Sequence, residues 1–444
     1  MTTSRDFFNS RIGFVLAAAG SAIGLGNIWG FPTQAANNGG GAFLFVYLVV
    51  TLLFALPALY AEIYLGNQAQ KNPVRALQEA CKHSVPKLGK YAGIIGLCGA
   101  IMMLSFYTIV AGWMLANALA PVAELLTLPD ASQWLSTSST ARNLVFTPIF
   151  ALLGGAIIHK GVNAGIEKWS SRLMPLLLIM LIGLIIYILQ QPGAMEGLRV
   201  YLIPDFSQVL EPTLIVSAMG QAFFSLSVGV GGMMVYGSYM KKDHDIGKLV
   251  LSIAALDMFI AFMAGLLIIP ALFVAQHAGF EVFNGDKLIG EGQLIFNILP
   301  KLFSSMGTIG LFVACGFFSL LSIAALTSTI SSIEVPVAYL IEEKSKSRIN
   351  ATWTVSFVVL AASLIIIAFF DALFGIVIQV LTTILQPLSC LFYFIVVGWL
   401  WKRGNKLIGT NQQQSIWMKI WGNYLRYCCP ILLSIVFINV SILN

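Results

Sequence analysis

Long apolar runs recur along the whole chain, and they limit its fold more than any other feature. Each run has about 20 residues or more, enough to cross roughly 30 Å of hydrocarbon as a helix. Hydrophobic residues make up 58% of the sequence and charged residues only 10%, so a water-soluble fold could not cover itself with polar side chains. The sequence therefore predicts an all-α integral membrane protein, with one transmembrane domain filling residues 1–444.

We expect about eleven transmembrane helices from the positions of these runs. Their predicted spans are 11–36, 41–66, 88–120, 143–159, 170–190, 213–240, 246–276, 304–341, 350–370, 373–402 and 421–442. No stretch remains that could form a soluble domain.

The basic residues collect in alternate loops, which predicts the orientation in the bilayer. With the N-terminus inside, only Arg142, Arg199, Lys287 and Lys301 of the 25 Lys and Arg fall outside. This asymmetry is typical of inner-membrane proteins, whose cytoplasmic loops are rich in Lys and Arg. We therefore expect a multi-pass protein of the bacterial inner membrane, with a cytoplasmic N-terminus and an external C-terminus. The net charge of +6 is explained by topology and does not indicate nucleic-acid binding.

The first and sixth predicted helices each carry a glycine-rich, polar stretch near the middle. These stretches are residues 20–27, GSAIGLGN, and residues 225–232, SLSVGVGG. Each glycine costs a helix about 1 kcal/mol relative to alanine, and backbone groups released by unwinding cannot face lipid. Close helix packing would also explain glycines at this spacing. Two breaks in matching positions favour unwound segments that line a site at mid-membrane.

The positions of the two breaks also predict an internal repeat. Helices one and six are each the first of five, as an inverted repeat of helices 1–5 and 6–10 requires, an arrangement known from secondary transporters. The first repeat would span 11–190 and the second 213–402, with 421–442 as an extra C-terminal helix.

Several long motifs resemble those of the neurotransmitter:sodium symporter family, in its bacterial eleven-helix branch. They are Arg11–Phe14, Gly20–Trp29, Phe31–Pro32, Asn38–Phe43, Gln221–Ser227, Tyr239–Asp243 and Ala324–Ser328. The resemblance covers about residues 5–400 and includes the bacterial leucine and hydrophobic amino-acid transporters. It implies the LeuT fold and sodium-coupled symport of a neutral amino acid by alternating access.

The resemblance implies two sodium sites made of oxygen ligands. The first would use the Ala22 carbonyl, the Asn27 side chain, Ser225, Asp257 and the substrate carboxylate. The second would use the carbonyls of Gly20, Ile23 and Ala324 with the hydroxyls of Thr327 and Ser328. Taken alone, a Thr-Ser pair in a membrane helix is more often bonded to its own backbone or engaged in packing.

The resemblance places an amino-acid substrate between the two breaks. Its carboxylate would meet the amides of Leu25 and Gly26, where half-helix ends favour an anion, and the hydroxyl of Tyr107. Its ammonium would meet the carbonyls of Ala22, Phe224 and Ser225, with Phe224 as a lid. Gly24 stands where family members for biogenic amines carry an aspartate, so it leaves room for a substrate with its own carboxylate.

Six residues are implied around the substrate side chain. They are Met103, Phe224, Ser227, Val230, Ser328 and Ser332. Val230 and Ser332 are small, which favours a large hydrophobic or aromatic amino acid.

Three carboxylates lie within the predicted spans, where a bare buried charge is costly. We expect Asp257 to bind sodium and to replace chloride, which predicts chloride-independent transport. Glu62 is expected to hold the broken backbone of helix six. Glu334 is either a protonated packing residue or part of the inner pathway.

The resemblance also implies gates on both sides. The usual outer ion pair is replaced by Gly30 and, by our alignment, Gln379. Outer closure would therefore depend on Tyr107, Phe224 and water or polar contacts. The inner latch would consist of Arg5, Ser238, Tyr239 and Glu342. Without the resemblance, Arg5 would be read as a topology charge.

Three other functions compete with symport. The four histidines fall in loops or at helix ends and are separated in sequence. They therefore form no metal or acid–base cluster, which disfavours an enzyme. A channel also uses carbonyl-lined breaks, and saturable, gradient-driven flux would separate the two. An amino-acid-binding sensor or slow carrier stays open because the outer ion pair is missing. The expected partners are a small amino acid, sodium ions and the lipid bilayer; the sequence does not predict the oligomeric state.

Overall fold

The chain is almost entirely helical in the computed structural model, which describes residues 7–242, 245–284, 287–288, 294–401 and 416–435. The first half contains α1 Arg11–Ala22, α2 Gly26–Asn37, α3 Gly41–Ala69, α4 Pro73–Ala80, α5 Pro86–Leu125, α6 Pro129–Ser136, α7 Thr140–Ile158, α8 Val162–Leu189 and α9 Ala194–Leu202. The second half contains α10 Pro212–Ser225, α11 Gly232–Ser238, α12 Ile246–His277, α13 Leu299–Ser305, α14 Gly307–Lys344, α15 Arg348–Ala368, α16 Phe370–Leu400 and α17 Ile416–Asn423. The prediction of an all-α membrane fold is confirmed.

Among the described residues, eight helices are long and apolar enough to cross a bilayer, or nine if the bent pair α1 and α2 is one span. Two predicted spans are not in that number. One corresponds to α10 and α11 together, and the other to α17 and the helical residues that follow it as far as 435. The count of about eleven therefore stays a prediction.

Four short helices lie between the predicted spans: α4, α6, α9 and α13. Proline occupies the first turn of α4, α6 and α13, where its missing N–H costs no hydrogen bond. Asn72 caps α4 by accepting from the amides of Val74 and Arg75, as expected of an N-cap asparagine. One hairpin of two-residue strands, β1 Phe283–Asn284 and β2 Lys287–Leu288, lies between α12 and α13.

The first predicted span is interrupted between α1 and α2, whose axes differ by 53°. The α1 helix ends at Ala22, and Ile23 is extended. The sixth span is interrupted between α10 and α11. There Ser227, Gly229 and Gly231 all have positive φ, a conformation that no helix can contain.

Close backbone contacts hold α11, the part of the sixth span that follows the break, against α3. A Cβ on Gly66 of α3 would lie 1.8 Å from the Met234 carbonyl oxygen, and one on Gly237 of α11 would lie 2.3 Å from that of Ile63. Small residues permit such approach between membrane helices. The long helix α14 packs against α5 and α1. It therefore lies beside the first break, which directly follows α1.

Candidate substrate and ion site

A buried carboxylate lies where the two breaks meet. Asp257 of α12 is fully buried, and its Oδ1 accepts from Asn27 Nδ2 at 2.7 Å. Its Oδ2 accepts from Ser225 Oγ at 2.8 Å. Asn27 Nδ2 also lies 2.9 Å from Ser225 Oγ. The structure therefore brings together three of the four residues expected at the first sodium site, from three different helices.

The fourth expected residue, Ala22, ends α1 directly before the break. The last carbonyls of a helix lack intrahelical partners, so this end supplies free oxygens. Asn27 Oδ1 meanwhile accepts from the Gly24 amide at 3.1 Å. The side chain of Asn27 thus ties the break of the first span to the carboxylate of α12.

Tyr47 also reaches this carboxylate, and the sequence reading missed it. Its hydroxyl lies 3.4 Å from Asp257 Oδ2 and 3.3 Å from Ser225 Oγ, and the ring is fully buried in α3. A tyrosine inside an apolar span was its only signal in the sequence.

The backbone of the first break is held close to α5 and α14. The Leu25 amide donates to the Tyr107 hydroxyl at 3.0 Å. A Cβ on Gly24 would lie 2.4 Å from that hydroxyl and 2.3 Å from Ser328 Oγ. No other residue fits at position 24 without displacing these groups. Gly26 is similarly close to the Phe224 ring, 3.1 Å from its hypothetical Cβ.

The five residues expected at the second sodium site also lie together. Ser328 Oγ is 3.3 Å from the Ile23 carbonyl oxygen and 3.5 Å from that of Gly20. Thr327 Oγ1 donates to the Ala324 carbonyl at 2.9 Å, and a Cβ on Gly20 would lie 3.5 Å from the Cβ of Thr327. The result is a cluster of neutral oxygens between α1 and α14.

The residues expected around the substrate side chain are buried near the first break. Met103 and Val230 belong to the same buried apolar cluster as Tyr107, and Ser332 is buried one turn beyond Ser328 on α14. Ser227 Oγ donates to the Ser21 carbonyl at 3.1 Å and so bridges the two breaks.

Two buried polar side chains frame the break in the sixth span. Glu62 accepts from the Gly229 amide at 2.9 Å and the Met234 amide at 3.4 Å, which confirms its predicted role. Gln386 of α16, which the sequence reading missed, donates to the Val228 carbonyl at 3.2 Å.

On the outer side a neutral contact stands where the ion pair was missing. Gln221 Nε2 donates to the Gly26 carbonyl at 2.7 Å, and its Oε1 occupies the space beside Gly30. Phe224 and Gln221 line a cavity of about 320 Å³ above the site. Gln379 is exposed, and its assignment to the place of the family's usual aspartate stays a prediction.

The wall of α16 at this cavity is formed by other residues of the helix. Ile378, Thr382, Thr383 and Pro387 face it.

On the inner side, Tyr239 is the expected latch residue that joins a charged network. Tyr239 donates to Glu334 Oε1 at 2.6 Å, and Arg348 makes two bonds of 2.9 Å with the same carboxylate. Glu334 thus pairs with Arg348 in an inner network, which favours the inner-pathway hypothesis over that of a packing residue. The sequence reading missed Arg348.

The other latch residues have separate contacts. Glu342 accepts from the backbone amide and the side chain of Asn72, at 2.8 and 2.9 Å. Ser238 donates to the Val235 carbonyl. Arg5 lies outside the described residues.

A model of the sodium:neurotransmitter symporter family matches residues 5–145 and 139–444. The chain belongs to this family. It is a multi-pass membrane transporter of the sodium-dependent kind and not an enzyme.

Similar proteins support the same assignment along the whole chain. An uncharacterised sodium-dependent transporter of Bacillus subtilis is 32% identical over 97% of this chain and 96% of its own length. One of Haemophilus influenzae is 30% identical over 99% of both. The crystal structure of MhsT in complex with L-phenylalanine has a TM-score of 0.83 and 34% identity, and covers 98% of this chain and 99% of that one. The predicted LeuT fold and family are confirmed.

Proposed function

We propose that this symporter-family member couples sodium to the uptake of a neutral, hydrophobic or aromatic amino acid across the bacterial inner membrane. Its N-terminus would be cytoplasmic and its C-terminus external. Residues 11–190 and 213–402 would form the inverted repeat, with 421–442 as an extra helix.

The observation that carries the proposal is the surroundings of Asp257. This carboxylate is fully buried, and its contacts are Asn27, Ser225 and Tyr47. No basic side chain pairs with it in the described part of the chain. A buried anion needs a compensating cation, and hard oxygen ligands suit sodium.

We place the second sodium among the neutral oxygens of Gly20, Ile23, Ala324, Thr327 and Ser328. Neutral ligands suit a monovalent ion that must leave during each cycle. The fixed charge of Asp257 would remove the need for chloride.

The substrate would lie between the breaks, with its carboxylate toward Leu25, Gly26 and Tyr107. Two features support an amino acid: the space that only Gly24 can leave, and the phenylalanine complex of the similar protein MhsT. Buried Val230 and Ser332 would enclose a large side chain.

Uptake into liposomes tests the proposal. The purified protein would be reconstituted and given radiolabelled tryptophan, tyrosine, leucine or alanine under an inward sodium gradient, with potassium as the control. We expect saturable, sodium-dependent accumulation of the large substrates. Uptake should persist when gluconate replaces chloride, and a collapse there would remove the role given to Asp257.

Asp257→Asn keeps the size of the side chain but removes its charge. We expect it to weaken sodium dependence by more than tenfold, since a full charge near an ion is worth several kcal/mol when buried. Tyr47→Phe is the matched control, because it removes one long hydrogen bond at the same carboxylate without changing its charge.

A sensor or slow carrier is the second candidate, favoured by the uncharged contact at the outer gate. Sodium-promoted binding without accumulation or counterflow would support it. If sodium changes neither binding nor uptake, the ion sites are wrongly assigned.

A further inference from the structure

The C-terminal part of the chain is cationic without any acidic counterpart. No Asp or Glu follows Asp371, whereas Lys402, Arg403, Lys406, Lys419 and Arg426 do. Lys419 lies in α17, and Arg426 lies in the helical residues that follow it. An uncompensated charge within a membrane helix needs a partner.

Arg426 lies close to the C-terminal end of α16. A Cβ on Gly398 would be 3.2 Å from the Arg426 Cα, so the two backbones touch there. The α16 helix ends two residues later, at Leu400, a rise of about 3 Å. Helical side chains lean toward the N-terminus of their own helix, which directs Arg426 toward the start of the last helix.

The guanidinium stacks on exposed aromatic rings. Its Cζ is 4.4 Å from the centre of Trp399 and 5.4 Å from that of Tyr427. Those rings are 54% and 45% exposed, and the Trp399 indole donates to the Arg426 carbonyl at 3.1 Å. This hydrogen bond therefore fixes the position of the indole ring on which the guanidinium stacks.

This cation is unpaired within the described residues. No carboxylate contacts Arg426, and its Nε is buried without a hydrogen-bond partner. Guanidinium groups bind phosphate through paired N–H bonds. Tryptophan and tyrosine prefer the headgroup level of a bilayer. A ligand with an apolar body and an anionic phosphate head would satisfy all of these groups together.

We propose that Arg426, Trp399 and Tyr427 bind the headgroup of an anionic phospholipid in the leaflet facing the start of the last helix. With the proposed orientation this is the cytoplasmic leaflet. The nearby basic residues raise the local concentration of anionic lipid, and Arg426 supplies the specific contact. The site lies apart from the substrate and ion site and does not depend on the substrate assigned above.

Native mass spectrometry of the purified, delipidated full chain tests the proposal. Dioleoyl phosphatidylglycerol and dioleoyl phosphatidylcholine would be titrated in separate arms, and bound lipids counted. We expect phosphatidylglycerol to bind about fivefold more tightly at the first site, the value typical of one basic residue near an anionic surface. Absence of any preference would overturn the proposal.

Variants separate a specific site from diffuse attraction. Arg426→Gln should abolish the preference, whereas Lys419→Gln, which removes the same charge from an exposed position on the same helix, should change it less than twofold. Equal effects of the two variants would contradict a specific site. Trp399→Phe keeps the charge but loses the indole bond, and it should give an intermediate preference.

Arg426→Lys covers the case in which the glutamine variant does not fold. It keeps the charge but not the paired N–H bonds, so the preference should fall yet persist. Glycerol 3-phosphate forms the last arm, and it should not displace the lipid because it lacks the acyl chains. Displacement at millimolar concentration would show a soluble-phosphate site and overturn the lipid proposal.

Discussion

The two sides of the substrate site are closed by different chemistry. On the outer side, a neutral amide of Gln221 bonds the Gly26 carbonyl, and no charged residue lines the cavity above it. On the inner side, Glu334 is fully buried between Arg348 and the Tyr239 hydroxyl. The outer contact is thus a neutral hydrogen bond, and the inner contact is an ion pair whose carboxylate is fully buried.

The difference bears on how easily each side opens. A neutral hydrogen bond contributes about 1 kcal/mol, and its groups regain bonds to water on opening. Separating a buried ion pair leaves two charges that need full solvation, a cost of several kcal/mol until water enters. We therefore expect the outer side to open with less hindrance in this conformation, and the inner network to set the stability of the closed inner face.

Breaking the inner ion pair should have the largest effect. Glu334→Gln would remove the carboxylate charge that pairs with the Arg348 guanidinium, whose side chain is only 20% exposed. We expect a loss of about 3 kcal/mol in stability, measured as a lower thermal midpoint of the purified protein. The double variant Glu334→Gln with Arg348→Gln removes both charges and should recover part of it. If the double variant is no better than the single one, the charge pair is not the source of the loss.

Removing the outer contact should have a smaller effect that appears in rates. Gln221→Leu would leave the Gly26 carbonyl without its partner, at a cost of about 1.4 kcal/mol, which corresponds to a roughly tenfold faster release of bound substrate to the outside. Stopped-flow release of a bound fluorescent or labelled amino acid would measure it. Thermal stability should change much less than in Glu334→Gln, and the reverse order would contradict the proposed asymmetry.

Gln221→Glu sharpens this test with pH. A protonated carboxyl group can donate to the Gly26 carbonyl, whereas a carboxylate cannot and would repel it. Release should therefore be slow at acid pH and become faster as pH rises, while the wild type shows no such dependence from this position. A pH-independent variant would show that the bond does not govern outer opening.

Gly30→Ala should have a smaller effect again. The new Cβ would lie 3.0 Å from Gln221 Oε1, the end of a flexible side chain that can shift. Alanine also favours the helix by about 1 kcal/mol over glycine. We expect release to change less than about twofold and thermal stability to rise slightly. A larger acceleration than in Gln221→Leu would show that Gly30 has a role beyond leaving space for the amide.

The location of the site could be predicted from local sequence, whereas several of the residues that surround it could not. Glycine and polar residues in two otherwise apolar spans predicted breaks, and the structure interrupts both helices there. Asp257 and Glu62 were evident because a carboxylate has few reasons to lie within hydrocarbon. These inferences required only composition and spacing along one helix.

Partners from distant helices could not be predicted in the same way. Nothing in the sequence distinguishes Tyr47, Gln386 and Arg348 from other aromatic, amide and basic residues. Only the packing of α3, α16 and α15 brings them to the site.

The exposed pair Arg75 and Glu343 should give the smallest effect, and it separates buried charge from charge in general. Arg75 Nε is 2.6 Å from Glu343 Oε1, but the arginine side chain is 53% exposed. The hydrogen bond to Glu343 raises the pKa of Arg75, so the guanidinium stays charged at every pH at which the protein is folded. Water screens such pairs, and most contribute little. Arg75→Gln should therefore leave the thermal midpoint within experimental error, at both low and high salt. If it matched Glu334→Gln instead, the inner face would be held by its total charge, and the burial of Glu334 would not be the property that distinguishes it from the outer side.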